Sequence, residues 1–119
     1  MQKNKPQAQF GLSEETLTKI NGVIAQHPEV ESVILYGSRA KGNYRNGSDI
    51  DITLTGSALT HGVMLRIDDE IDDLLLPYSF DISIFNHIDN PDLIDHIHRC
   101  GILLYKKEKT RLAAQHSAL

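Results

Sequence analysis

Apolar residues recur along the chain with two different periods, and each change of period marks the start of a new element. Ser13 is a suitable N-cap for a first helix. Leu17, Ile20 and Ile24 then fall on one face of that helix. The helical period returns from about residue 59 to residue 75, where an apolar stripe lies opposite a row of aspartates. Both segments are predicted to be amphipathic helices.

Four shorter segments have the pattern of strands, either as an unbroken apolar run or as alternating apolar and polar residues. These predicted strands are residues 33–36, 49–54, 80–84 and 102–105. A further helix is predicted between Asn90, as N-cap, and Gly101, with Pro91 at its first position. The pattern predicts an α/β (α+β) fold: a mixed β-sheet of three to four strands with flanking helices.

Length and composition favour one domain with one hydrophobic core, because the chain has 119 residues and 40% of them are hydrophobic. We expect a mobile N-terminal segment at residues 1–11, a folded domain at 12–107 and a C-terminal tail at 108–119. The single cysteine, Cys100, predicts a fold without an internal disulfide, and no apolar run is long enough to span a bilayer. A cytoplasmic protein is the expectation.

Net charge argues against general binding to nucleic acid, because the chain carries a formal charge of -4 and such binding needs a basic face. Candidate chemistry lies elsewhere, in two carboxylates on one strand. Asp49 and Asp51 are two residues apart, so they share a face of the second predicted strand and repel each other unless a cation is present. Hard oxygen ligands of this kind favour Mg²⁺ or Mn²⁺, completed by substrate phosphates.

Asp81 is the corresponding carboxylate of the third predicted strand. If that strand is a neighbour of the second one, Asp81 either ligates a second metal ion or accepts a proton from an attacking hydroxyl. The simpler alternative is a solvated aspartate, or one paired with Arg39 or Arg99. The alternation of Asp81 with Phe80 and Ile82 favours the site.

A loop that could hold phosphate lies between the first two strands. Gly37 ends a buried strand and lets an anion approach the backbone, while Ser38 adds a hydroxyl and an N–H at the start of a short helix. Arg39 and Lys41 place positive charge in the same loop, although exposed basic residues on loops are also ordinary solvated charges. A triphosphate gripped between this loop and a metal ion is the expected arrangement.

Two motifs in the chain resemble those of a known family. They are Gly-Ser-Arg-Ala-Lys-Gly at residues 37–42 and Ser-Asp-Ile-Asp-Ile at residues 48–52, and they look like the signature of the DNA polymerase beta-like nucleotidyltransferase superfamily. Within that superfamily the chain is most similar to the minimal nucleotidyltransferase (MNT) branch. The resemblance covers residues 12–107 and includes a closing segment at residues 94–105.

The resemblance implies roles for individual residues. Gly37 and Ser38 would hold the triphosphate, Asp49 and Asp51 would bind metal, and Asp81 would be the third catalytic carboxylate. The donor would be a nucleoside triphosphate, with ATP expected. Members of this branch are often paired with a helical HEPN toxin, and in some pairs they add AMP to a tyrosine of that toxin. A HEPN partner and an antitoxin role are therefore implied.

Other readings of the same residues stay open. The chain could be an antitoxin that masks a HEPN ribonuclease by contact, without catalysis, or a small-molecule adenylyltransferase of the antibiotic-resistance type. The second of these is disfavoured because no further segment is present to form an acceptor pocket. All six histidines are expected to be surface or half-buried residues, and Tyr36 is expected to belong to the core.

Overall fold

The fold is described from a computed structural model, which describes residues 10–45 and 47–108. The predicted C-terminal tail, from residue 109 onward, and most of the predicted N-terminal segment lie outside these residues. Among the residues described, none of the helices combines the length and the apolar character that a membrane span requires.

The elements follow one another as the sequence pattern predicts. They are α1 (Glu14–Ile24), β1 (Ser32–Tyr36), α2 (Ser38–Lys41), β2 (Ile50–Thr55), α3 (His61–Asp72), β3 (Phe80–Ile84), a short 3₁₀ helix (Phe85–His87), α4 (Pro91–Cys100) and β4 (Ile102–Lys106). Side chains cap three of the helices: Ser13 accepts from Thr16 N–H, Thr60 from Val63 N–H, and Asn90 from Asp92 and Leu93 N–H. Helix starts could therefore be read from the sequence.

The four strands form one mixed sheet in the order β3-β2-β1-β4. The central strand β1 is antiparallel to both β2 and β4, whereas β2 and β3 are parallel. The parallel pair is possible because α3 connects its two strands, as parallel strands require a crossover. The predicted mixed sheet with flanking helices is confirmed.

The apolar side chains on one face of the two central strands form a core beneath the sheet. Val33, Leu35, Ile52 and Leu54 are fully buried there, together with residues of α1 and α3. The other face carries Asp51, because side chains alternate along a strand. On that face α4 packs against β1, so close that a Cβ added to Gly101 would press on the Ile34 side chain.

Helix α3 ends earlier than its apolar stripe predicts. Asp72 is its last residue, and Leu75 has a left-handed backbone (φ 57°) with 87% of its side chain exposed. The prediction that the helix extends to residue 75 was wrong by one turn. A left-handed residue cannot continue a right-handed helix, so the chain turns before it reaches Pro77.

Candidate active site

The central feature of the site is the register of two parallel strands. Asp51 of β2 lies directly opposite Asp81 of β3, so both side chains leave the same face of the sheet. Asp49 immediately precedes β2 and shares the alternation with Asp51. The structure therefore brings together the three carboxylates that the sequence identifies.

The surroundings of Asp51, including the neighbouring carboxylates, shift its pKa. Burial raises the pKa of Asp51 above its ordinary value, and the charges of Asp81 and Asp49 raise it further. Arg39 acts in the opposite direction and lowers this pKa by a smaller amount. Asp51 is half-buried, while Asp49 and Asp81 are exposed, so the ligands that a cation would need are accessible from solvent.

One alternative for Asp81, an ion pair with Arg39 or Arg99, receives no support, whereas its exposure is also what a solvated aspartate would show. Arg39 makes its hydrogen bonds to backbone carbonyls, and Arg99 pairs with Asp95 on its own helix at 2.9 Å. Among residues 10–45 and 47–108, Asp81 takes part in no salt bridge. The carboxylate is thus unneutralised beside Asp51.

Gly37 joins β1 to the short helix α2 with a backbone that few other residues adopt. Its φ of 78° and ψ of -156° fall in a region that is essentially restricted to glycine. A Cβ at this position would also collide with the Asp51 carboxylate oxygen Oδ2. The missing side chain therefore makes room for Asp51, in addition to permitting the close approach of an anion.

Ser38 and Lys41 have polar side chains in this turn that are available to a ligand. Ser38 is the first residue of α2, and its hydroxyl forms no hydrogen bond with any residue that the structure describes. Lys41 is the last residue of the same helix and is exposed. Both side chains are free to meet a ligand.

Arg39 points into the protein, with only 3% of its surface exposed. Its guanidinium donates to the carbonyls of Ser48 (2.8 Å and 3.2 Å) and Phe10 (2.9 Å). The same group lies over the rings of Tyr44 and Tyr78, 5.3 Å from each centroid. These contacts explain why Arg39 is buried and give it a structural role. Its contact with a nucleotide stays a prediction.

Tyr36 belongs to the site as well as to the core. It is the residue opposite Asp51 on the neighbouring strand β1, so the two side chains share a face. Burial raises the pKa of the phenol; an interaction with Ser83 lowers it, and the charges of Asp81 and Asp51 raise it. The sequence prediction of a buried Tyr36 is confirmed, but its closeness to the carboxylates was missed.

His96 is the second residue that the sequence analysis missed. Its Nε2 accepts a hydrogen bond from the Gly37 N–H at 3.1 Å, and its ring meets the Tyr36 ring edge-on, 6.2 Å between centroids. A signal was present in the sequence, because His96 is three residues after Leu93 and four before Cys100, on the inward stripe of α4. Isolated histidines on such a stripe are usually structural, and this one was not distinguished from the others.

The donor set suits a hard divalent cation. Asp49, Asp51 and Asp81 offer only carboxylate oxygens. The pKa of Asp51 is raised first by burial and then by the charges of Asp81 and Asp49, and a cation would offset this second contribution. In the described part of the chain, however, no three acidic, histidine or cysteine side chains converge closely enough to hold a metal by themselves. Mg²⁺ is commonly held by one or two carboxylates together with substrate phosphates. The carboxylates here fit a site of that kind, in which the protein supplies only part of the coordination.

A mixed sheet with a Gly-Ser turn packed against Asp51, which pairs in register with Asp81, is the arrangement of a nucleotidyltransferase-type domain. The family profile described as "Polymerase beta, Nucleotidyltransferase" matches residues 18–110. The chain therefore belongs to the polymerase beta nucleotidyltransferase family. No curated protein matches it.

Solved structures share this fold at low sequence identity. A chain of a toxin–antitoxin crystal structure with AMP-PNP has a TM-score of 0.63 and 19% identity, covering 77% of this chain and 74% of its own length. A structure of a tri-AMPylated Shewanella oneidensis HEPN toxin in complex with MNT antitoxin has a TM-score of 0.59 and 16% identity, covering 84% of this chain and 77% of the other. At such identities the likeness concerns the fold.

Proposed function

We propose that this chain is a metal-dependent nucleotidyltransferase that transfers AMP from ATP to a hydroxyl of a HEPN-domain partner, and so acts as an antitoxin. Family membership supports nucleotidyl transfer. The choice of acceptor draws on the structural neighbours, one of which contains an AMPylated HEPN toxin with its MNT antitoxin. A tyrosine of the partner is the acceptor that the resemblance implies.

The observation that carries this proposal is the pairing of Asp51 with Asp81 beside the Gly37 turn. Three carboxylates that repel one another are costly to maintain in a domain that acts only by contact. A divalent cation held by these residues would offset this cost. The site is thus arranged for charge neutralisation, the main source of catalysis in phosphoryl-type transfer.

Each residue has a distinct part in the proposed reaction. Asp49 and Asp51 would hold Mg²⁺ or Mn²⁺, and Ser38 and Lys41 would bind the phosphates. When bound, the metal ion neutralises the negative charge that the triphosphate brings to the carboxylates. Asp81 faces the acceptor and takes its proton.

The transfer itself is an in-line displacement. The acceptor oxygen forms a bond to the α-phosphorus as the bond between that phosphorus and the bridging oxygen of the β-phosphate breaks. The bridging oxygen keeps the electron pair and leaves as part of pyrophosphate, while the hydroxyl proton passes to the Asp81 carboxylate. Positioning of the reactants along this line supplies much of the rate enhancement.

The test is transfer of label from α-³²P-ATP with Mg²⁺ to a co-expressed HEPN partner encoded by the neighbouring gene. Wild type is compared with Asp49→Asn/Asp51→Asn, which keeps the side-chain shapes and removes both charges. Asp68→Asn/Asp69→Asn is the matched control, because it removes two charges from exposed residues of α3. We expect label on the partner with wild type and the control, and at least about a hundredfold less with the site variant.

The outcomes separate catalysis from masking by contact. An unlabelled partner that is inhibited equally by wild type and by the site variant would establish the non-catalytic antitoxin. Label on a small-molecule acceptor in place of the HEPN protein would keep the chemistry and overturn the proposed partner. Label that persists in Asp49→Asn/Asp51→Asn would contradict the metal-binding role of both residues.

A further inference from the structure

Helix α4 reaches the nucleotide-binding turn through one side chain. His96 lies 59 positions from Gly37 in the sequence, yet its Nε2 accepts the Gly37 N–H at 3.1 Å. The ring also packs edge-on against Tyr36, the last residue of β1. Both residues that lead into the turn are thus in contact with His96.

This hydrogen bond defines the chemical state of the ring. Because a backbone N–H is always a donor, Nε2 must be the unprotonated nitrogen, and in the neutral ring Nδ1 carries the hydrogen. The bond also occupies the Gly37 N–H, which is then directed at His96 and unavailable to a phosphate oxygen. Gly37 contributes the shape of the turn, and the groups left for the anion belong to Ser38.

The Gly37 peptide needs support from outside the turn. Its φ of 78° and ψ of -156° form a sparsely populated conformation, which persists only where surrounding contacts determine it. On one side the Asp51 carboxylate fills the space where a Cβ would be. On the amide side, His96 is the hydrogen-bond partner.

We propose that His96 is a positioning residue for the nucleotide site, holding the Gly37 peptide so that Ser38 is presented to the triphosphate. This inference rests on the proposed function and deepens it, because it assigns to α4 a part in binding the nucleoside triphosphate. Among residues 10–45 and 47–108, His96 forms no hydrogen bond or salt bridge with a carboxylate. It acts through Gly37.

The hydrogen bond is separable from the packing of α4. Ile97 is 2% exposed, and Gly101 fits closely against Ile34, so apolar contacts already hold this helix on the sheet. Loss of the acceptor nitrogen should therefore leave the helix in place and free the Gly37 peptide. This separation allows a binding role to be distinguished from a purely structural one.

The experiment compares two replacements of the same ring. His96→Gln places an amide oxygen near the position of Nε2 and keeps the acceptor, whereas His96→Phe keeps a ring and removes the acceptor. His98→Phe is the matched control, since His98 is exposed on the same helix and contacts Phe85. The readouts are kcat and KM for ATP in labelling of the HEPN partner, with the thermal midpoint of each variant.

We expect KM for ATP to rise about tenfold in His96→Phe, with kcat changed by less than about threefold, because the triphosphate is gripped before and during the reaction alike. His96→Gln should recover KM to within about threefold of wild type, and His98→Phe should match wild type. An unchanged KM in His96→Phe would overturn the proposal. Equal impairment of His96→Gln and His96→Phe would also overturn it, since the acceptor would then be irrelevant.

Binding of ATP·Mg²⁺, measured by calorimetry without a partner, distinguishes failure of this inference from failure of the proposed function. If wild type binds ATP·Mg²⁺ but labels nothing, the proposed transfer fails and His96 is judged on affinity alone. The same pattern is then expected: about tenfold weaker binding for His96→Phe, and recovery in His96→Gln. If wild type does not bind ATP·Mg²⁺, both proposals are overturned.

Discussion

Asp51 and Asp81 lie opposite each other on two parallel strands, and neither forms a salt bridge among residues 10–45 and 47–108. Parallel register keeps both carboxylates on one face, while Asp49 adds a third negative charge at the start of β2. A protein selected for stability alone would place a cation or an apolar residue here. The arrangement thus sacrifices stability for a charged site.

The first prediction concerns the pH dependence of stability. Because the pKa of Asp51 is raised in the folded chain, the folded chain holds this proton more tightly than the unfolded chain. The Asp51 contribution to the free energy of unfolding therefore falls as the pH rises from the ordinary carboxyl pKa through the raised one. We expect Asp51→Asn to remove this loss and to raise Tm at pH 7 by roughly 2–5 °C.

Thermal unfolding followed by circular dichroism between about pH 4 and pH 7 checks this prediction. Asp69→Asn is the control, because Asp69 is exposed on α3 and is not among the charges that shift the pKa of Asp51. The difference in Tm between Asp51→Asn and wild type should widen with pH. A lower Tm for Asp51→Asn at pH 7 would show that ionised Asp51 stabilises the fold, contrary to its raised pKa.

The second prediction concerns metal binding. The phosphates of ATP would complete the coordination that the carboxylates lack alone, and ATP·Mg²⁺ binds only the folded chain, so it stabilises by mass action. For a dissociation constant of about 0.1 mM, about 1 mM ATP·Mg²⁺ adds about 1.4 kcal/mol to the free energy of unfolding, equivalent to roughly 5–10 °C in Tm. A chelator should reverse the rise. Asp49→Asn/Asp51→Asn should not respond, and an equal response in that variant would place the cation elsewhere.

The third prediction is that Gly37→Ala destabilises the fold and weakens binding of ATP. The alanine would have to keep a glycine-only backbone conformation while its Cβ collides with Asp51. We expect a loss of about 2–3 kcal/mol in the free energy of unfolding, measured with urea. Relief of the collision should displace the Asp51 side chain, so ATP affinity should fall at least about tenfold.

Gly42→Ala separates strain from collision. Gly42 also has a positive φ, of 88°, but a Cβ added there meets nothing within 4 Å. This variant should lose about 1 kcal/mol of stability from backbone strain alone and keep its ATP affinity. If both alanine variants bound ATP equally well, the closeness of Gly37 to Asp51 would have no bearing on the site.

The sequence predicts the helices and strands well, because they depend on local periods and caps. Ser13, Thr60 and Asn90 cap their helices through contacts of two or three residues, which sequence spacing can express. The pairing of β3 with β2 cannot be predicted from such local contacts. Alternation predicts the face of its own strand on which Asp51 or Asp81 lies. Only the tertiary fold places the two strands side by side.

Contacts between distant residues account for what the sequence analysis missed. The bond from Gly37 to His96 spans 59 positions, and the one from Arg39 to Phe10 spans 29. No periodicity links such residues. Arg39 was grouped with Lys41 because both follow the Gly-Ser motif, but a helix of four residues directs neighbouring side chains to different sides.

The last prediction separates these two cations. Arg39→Met leaves the carbonyls of Phe10 and Ser48 without their donor and removes the cation from between two tyrosine rings. We expect a loss of about 2–4 kcal/mol in the free energy of unfolding, measured with urea. Lys41→Met should stay within about 0.5 kcal/mol of wild type, because Lys41 is exposed.

Affinity for ATP should fall more in Lys41→Met than in Arg39→Met, which is the reverse of their order in stability. Measured well below the unfolding temperature of each variant, Lys41→Met should weaken binding about threefold to tenfold by removing a charge that faces the phosphates. Arg39→Met should bind with an affinity closer to wild type, because its guanidinium is committed to the protein. A stable Arg39→Met with strongly reduced ATP affinity would instead show that Arg39 leaves its buried position to contact the nucleotide, as the sequence motif alone predicts.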